Sequence, residues 1–147
     1  MAIENGIHAV SGVNVLIVDD HDALRKSLRA RIHASFPGLD FLEARCGEDA
    51  VAIAADRRPQ IVLMDIALPD ISGIEATRRI KARLPLTWVV MLSMHHDQAR
   101  RALAAAAGAN AFVAKRDLPE ELIGRLREVV ARMSGMQTQD ESGKQGR

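Results

Sequence analysis

Apolar runs in this chain end abruptly on polar side chains that can do chemistry. Val15-Leu16-Ile17-Val18 stops at Asp19, Asp20, His21 and Asp22. Ile61-Val62-Leu63-Met64 stops at Asp65, Val89-Val90-Met91-Leu92 at Ser93, and Ala111-Phe112-Val113-Ala114 at Lys115. Carboxylates packed as closely as those at 19, 20 and 22 repel one another, and each raises the cost of ionising its neighbours. A cation relieves that repulsion. Oxygen-rich shells suit a hard divalent ion such as Mg²⁺, which takes few protein ligands and keeps several waters. A carboxylate beside such an ion can attack a phosphoryl group and form an aspartyl phosphate. The ion and an ammonium then stabilise charge on the phosphoryl oxygens, and a hydroxyl can bond the attached phosphate.

These groups act together only if the fold gathers them. The runs at 13–18, 60–64, 87–92 and 110–114 are rich in β-branched residues and nearly uninterrupted. Strands buried on both faces of a parallel sheet read this way. Residues 40–45 alternate more and fit an edge strand. Between the runs lie helical patterns. Leu24, Leu28 and Ile32 repeat at i+4, Ala99, Ala102, Leu103 and Ala106 mark one face, and Leu118, Leu122, Leu126, Val129, Val130 and Met133 form a long stripe. Ser72 with Glu75 reads as a capping box opening the third helix. Asp117 with Glu120 reads the same way for the last helix, with Pro119 in its first turn. The order is β-α repeated five times over 13–133, which argues for a parallel sheet covered by helices on both faces. In such sheets ligands bind at the carboxyl ends of the strands, where Asp19, Asp20, Asp65, Ser93 and Lys115 all fall.

The bulk properties agree. The chain has 147 residues, enough for one domain with a substantial core. It is 48% hydrophobic and 27% charged, in the globular range. Its net charge of +1 gives no bulk attraction to nucleic acid or an anionic membrane. The single cysteine, Cys46, suits a reducing cytosol. The opening residues lack the pattern of a signal peptide, and no apolar run is long enough for a membrane helix. A cytoplasmic location is the expectation. Residues 1–12 read as an N-terminal extension, and the polar, aperiodic segment 134–147 as a disordered tail.

The stretches 15–21, 62–81, 89–97 and 108–117 resemble the receiver domain of bacterial two-component response regulators. The detail is most similar to receivers that precede a LuxR-type helix-turn-helix. The resemblance covers 13–133. It implies a flavodoxin-like (βα)5 fold with strand order 2-1-3-4-5. It makes Asp65 the phosphoacceptor, phosphorylated by a histidine kinase or phosphotransfer protein. It makes Asp20 and Asp65 direct Mg²⁺ ligands with the Ala67 carbonyl, and Asp19 a ligand through water. Ser93 would bond the phosphoryl group and Lys115 would pair with it. Ser93 and Phe112 would form the switch, and Pro69 and Gly73 match the loop after the acceptor strand. The domain would catalyse only its own phosphorylation and dephosphorylation, and its downstream partner is left unnamed. A phosphorylation-dependent dimer is left open, and this chain is not expected to bind DNA itself. Fourteen residues follow Met133, too few for a helix-turn-helix, so the chain reads as a stand-alone receiver or a fragment of a transcriptional regulator.

Plainer readings stand beside these. Phe112 alone would be core. His21, His95 and His96 read as solvated loop residues, Asp22 as the N-cap of the first helix, and Arg78, Arg79, Lys81 and Arg83 as a solvated face. The alanines at 104–107 fit close helix–sheet packing. Two rival functions remain. Asp20-His21-Asp22 after a first strand also matches haloacid-dehalogenase-like phosphatases, with Asp20 as nucleophile and Asp22 as general acid, although the cap insertion and late acidic pair are missing. A structural pseudo-receiver that never takes phosphate is disfavoured by the intact polar set.

Overall fold

The computed structural model describes residues 12–145 apart from residue 96. Five strands alternate with five helices. They run β1 (Asn14–Val18), α1 (Asp22–Ser35), β2 (Asp40–Ala44), α2 (Gly47–Arg57), β3 (Ile61–Asp65), α3 (Gly73–Arg83), β4 (Trp88–Ser93), α4 (Gln98–Ala106), β5 (Ala111–Ala114) and α5 (Glu120–Gln145). A 3₁₀ turn at Lys115–Asp117 lies between β5 and α5. All strand pairs are parallel, in the order β2-β1-β3-β4-β5. This is the expected order. The apolar runs of β1, β3, β4 and β5 are almost wholly buried, whereas β2 at the edge is half exposed.

The sheet separates two cores, because successive side chains point to opposite faces. Val15, Ile17, Leu63, Val90 and Leu92 pack against Leu28 and Ile32 of α1 and Leu122, Leu126 and Val130 of α5. Leu16, Val18, Met64 and Met91 pack against Ala50 and Ala54 of α2, Ala76 and Ile80 of α3, and Ala104 of α4. Each buried large aliphatic side chain contributes about 1.5–3 kcal/mol. The small residues on α2 and α4 let those helices lie close to the sheet; of the 104–107 alanines expected to pack there only Ala104 does, while Ala105 and Ala106 are exposed.

The helix ends depart from expectation in four places. Asp22 is not the cap of α1. His21 holds the extended N-cap conformation without a side-chain bond, and Asp22 lies in the first turn, where its carboxylate accepts from Arg25. Ser72 does cap α3 by accepting from the Glu75 amide, but the Glu75 carboxylate turns to Arg78 and Arg79 instead of reaching back. Asp117 falls in the 3₁₀ turn. Leu118 is extended, as residues before proline are, and the Ile123 amide donates the first bond of α5 to the Pro119 carbonyl. Finally, the tail expected to be disordered from Ser134 continues α5 to Gln145. Nothing after Pro119 breaks that helix except isolated glycines, and Met, Gln, Glu and Lys are good helix formers. The N-terminal extension lies outside the described residues but for Gly12, and so does His96. Lys81, read as solvated, donates to the carbonyls of Pro85 and Thr87 and to Asn110 Oδ1.

Candidate functional site

The site forms where β1, β3 and β5 end together. Asp19 follows β1 and is fully buried, its amide extending the ladder to the Ala44 carbonyl at 3.1 Å. Its Oδ1 accepts from the His21 amide at 2.8 Å, and its Oδ2 accepts from Lys115 Nζ at 3.0 Å. Asp65 is the last residue of β3, opposite Leu92 of β4, and is buried. Its Oδ1 accepts from the Ala67 amide at 3.3 Å, and its Oδ2 lies 3.3 Å from Lys115 Nζ. The ammonium therefore sits between the two buried carboxylates. Asp20 faces the solvent side, 39% exposed at the side chain.

Burial raises the Asp65 pKa most; the Asp19 charge adds to the rise and Lys115 opposes it. The harder ionisation expected of the acidic turn is not met at Asp22, whose pKa is lowered by its bond to Arg25 and by Arg45. Burial works against the Lys115 charge, but the Asp19 hydrogen bond and the Asp65 carboxylate outweigh it and raise its pKa. Lys115 is held as an ammonium.

Two carboxylate oxygens, Asp20 Oδ1 and Asp65 Oδ2, are buried without a hydrogen bond. Lys115 Nζ lies 3.3 Å from the Asp65 oxygen and His21 Nδ1 3.2 Å from the Asp20 oxygen; buried acceptors normally find donors, so each keeps capacity for a further electropositive group. Ligand atoms from Asp19, Asp20, His21 and Asp65 lie within 4.8 Å of one another. That oxygen-rich set fits a hard divalent cation. His21, read as a solvated histidine, is exposed as expected, yet its Nδ1 stands 3.0 Å from Asp19 Oδ1 and 3.2 Å from Asp20 Oδ1. His95 is exposed.

The loop after Asp65 is held from several directions. The Ile66 amide donates to the Leu92 carbonyl, and the Gly73 amide to the Ile66 carbonyl. Gly73 is required here, since a Cβ would overlap the Asp65 carbonyl oxygen. Asp70 accepts from the amides of Gly47 and Glu48, both at 2.8 Å, so it caps α2 from across the loop. Those amide bonds hold its pKa down at about 2. Beside Asp65 opens a cleft of about 490 Å³, lined by Ala67, Ser72, Ser93, His95, Arg100 and Leu103. Ser93 is buried and bonded within its own loop: its hydroxyl donates to the His95 carbonyl at 2.9 Å and accepts from the His95 amide at 3.1 Å. Phe112 lies one face away, buried among the α4-side core with the Arg101 guanidinium 4.7 Å above its ring.

Residues 15–127 match the family model described as the response regulator receiver domain. This chain belongs to that family. Response regulator UvrY of Escherichia coli (strain K12) is 37% identical over 118 residues, 80% of this chain and 54% of that protein. Response regulator GacA of Pseudomonas aeruginosa is 35% identical over 120 residues, 81% of this chain and 56% of that protein. The chain thus spans about half the length of the curated relatives it matches. A crystal structure of a LuxR-family two-component response regulator from Aurantimonas sp. SI85-9A1 superposes with a TM-score of 0.76 at 30% identity, covering 93% of this chain and all of that one. The chain is a receiver domain of two-component signalling, and the fold and family expectations hold. No helix among the described residues is long and apolar enough to cross a membrane.

The receiver reading also accounts for Asp22. A general acid beside Asp20 should be free and protonatable. Asp22 is instead bonded to Arg25 at 2.7 Å, with Arg45 at 3.6 Å, and these contacts lower its pKa. Nothing here favours the phosphatase reading. Sequence reasoning passed over Arg25 and Asp70. Arg25 lies on the buried face of α1 with Leu28 and Ile32 and stands i+3 from Asp22, a signal that was available. Asp70 gave none, since its partners are 22 and 23 residues away.

Proposed function

We propose that Asp65 is the phosphoacceptor of this receiver and that a histidine kinase or phosphotransfer protein supplies the phosphoryl group. The observation that carries this reading is the Lys115 ammonium held between Asp19 and Asp65, with Asp65 Oδ2 and Asp20 Oδ1 buried beside it and lacking a hydrogen bond among the described residues. Asp20, Asp65 and the Ala67 carbonyl would hold Mg²⁺ directly, with Asp19 joined through water. The ion supplies charge neutralisation between the nucleophile and the incoming phosphoryl oxygens. Asp65 attacks phosphorus through a carboxylate oxygen. The new O–P bond forms as the bond to the donor's imidazole nitrogen breaks, and the imidazole keeps the electron pair. Lys115 bonds a phosphoryl oxygen as a point charge. Ser93 then releases the His95 carbonyl and donates to the phosphoryl group, a stronger charge-assisted bond. That movement draws the β4–α4 loop toward Asp65 and changes the packing around Phe112 on the α4–β5–α5 face, where a downstream partner or a second copy would bind.

All of these parts are in the chain, so a small donor such as acetyl phosphate should suffice. Intact mass should rise by one phosphoryl group only when Mg²⁺ is present, and hydroxylamine should remove the label. Asp65→Asn should abolish it, because an amide is a poor nucleophile. Labelling of Asp65→Asn at the parent's rate, or a label mapped to Asp20 or a histidine, would overturn the assignment.

A further inference from the structure

Arg25 is a buried guanidinium, 7% exposed, that touches none of the reacting groups. It lies in the first turn of α1, behind the acidic turn, and its fork is fully used. Nη1 donates to the Asp19 backbone carbonyl at 2.8 Å, Nη2 to Asp22 Oδ1 at 2.7 Å and Nε to Glu43 Oε1 at 2.6 Å. Glu43 stands on β2 and is itself held by Arg29 at 2.7 Å. Each bond has a consequence for the site. The Asp19 carbonyl belongs to the peptide that joins Asp19 to Asp20, so fixing it fixes the root of the Asp20 side chain. Asp20 Oδ1 has no hydrogen bond among the described residues, and its neighbour His21 Nδ1, 3.2 Å away, belongs to an exposed side chain. The bond to Asp22 keeps a fourth carboxylate out of the cluster formed by Asp19, Asp20, His21 and Asp65. The bond to Glu43 ties the whole turn to the sheet.

We infer that Arg25 is a positioning residue for the divalent cation: it aims Asp20 and keeps Asp22 from joining the ligand set. This rests on the Mg²⁺ reading above. A guanidinium suits the task because one planar fork serves three acceptors on three elements, which a lysine cannot reproduce.

The sign of the effect separates positioning from simple charge. Removing a cation near the site would by Coulomb's law tighten Mg²⁺ binding, and freeing Asp22 would tighten it further. Loss of positioning weakens it, by about tenfold or more where a group that orients metal ligands is removed. Mg²⁺ affinity of the metal-free chain should be measured by titration calorimetry for the parent, Arg25→Met and Arg25→Lys. In Arg25→Met, Glu43 keeps Arg29 as a partner. The expected result is a Kd at least about tenfold higher in Arg25→Met and intermediate in Arg25→Lys. In acetyl phosphate labelling the half-saturating Mg²⁺ concentration should rise while the rate at saturating Mg²⁺ returns close to the parent's, a split that general destabilisation would not produce. An Arg25→Met Kd equal to or below the parent's overturns the inference. Should Arg25→Met not fold, Arg25→Lys decides by the same criterion. If the parent binds no Mg²⁺, the metal reading falls and the role of Arg25 with it; if the parent binds and the variants match it, only the role of Arg25 falls.

Discussion

Lys115 and the two carboxylates it joins show how much of this site is a balance of buried charge. Asp19 and Asp65 are buried, so bulk solvent screens their repulsion little, and one ammonium serves both. Breaking a buried pair from one side leaves an uncompensated charge and costs about 3–5 kcal/mol. Lys115→Met should therefore lower unfolding stability by that order in Mg²⁺-free buffer, read by urea denaturation. Its labelled form should also lack the conformational response, since no cation at the end of β5 then bonds the phosphoryl group. Asp65→Asn has the opposite sign. It removes one of two repelling charges, so its melting temperature without Mg²⁺ should equal or exceed the parent's. A variant that loses the chemistry while gaining stability is what a site built for function predicts. The identities of Asp19, Asp20, Asp65 and Lys115 were legible in the sequence because each follows an apolar run directly. The orientation of Ser93 was not. Its hydroxyl is engaged with the His95 backbone, a bond between loop neighbours that no periodicity encodes.

Elements reach the site through their ends. Asp70 joins the acceptor loop to the first amides of α2, which combines an N-cap with attraction between a carboxylate and the positive end of the helix. Its folded pKa is about 2, against an ordinary 3.8. A depressed carboxyl pKa stabilises the fold fully above the ordinary value, and that contribution is lost as pH falls through the folded value. Melting temperatures of the parent and Asp70→Asn should therefore differ at neutral pH and converge between about pH 4 and pH 2. Parallel curves over that range would show that Asp70 is not held by these amides. Gly73 sets a harder limit. A methyl group there meets the Asp65 backbone, and such overpacking costs about 1–3 kcal/mol or more. Gly73→Ala should lower stability by at least that in urea denaturation and slow Asp65 labelling, because the acceptor strand must shift to admit it. Strand and helix number were legible from alternation and uninterrupted β-branched runs, whereas the strand order came only with the family resemblance. Helix starts were read less well. Asp22 and Asp117 look like caps by type, yet Arg25 claims the first and the 3₁₀ turn claims the second. Tertiary partners and local turn geometry overruled a local rule.

At the scale of the molecule, one sheet divides two cores with different duties. The α1–α5 side is stabilising ballast, and Leu122, fully buried there, is a sensitive probe. Leu122→Ala should cost about 2–5 kcal/mol, seen as a lower urea midpoint, with the Mg²⁺ affinity unchanged. The opposite side holds Phe112 beneath Arg101 and borders the loop of Ser93. Hydrogen exchange with and without beryllofluoride should change over β4, α4 and β5 and stay constant over α1. A response confined to α1 would contradict the proposed switch. One last consequence concerns time. Asp19 and Lys115 are bonded across 96 positions of sequence, so the acidic turn and the nucleophile leave the ribosome several seconds before their counter-charge, at about 5–20 residues per second. Until β5 is laid against β4, the acceptor has no ammonium beside it. If Asp65 is the phosphoacceptor proposed above, a half-synthesised chain, or one whose last strand has frayed, would be a poor target for a kinase. Phosphate capture would then double as a check that the chain has finished folding.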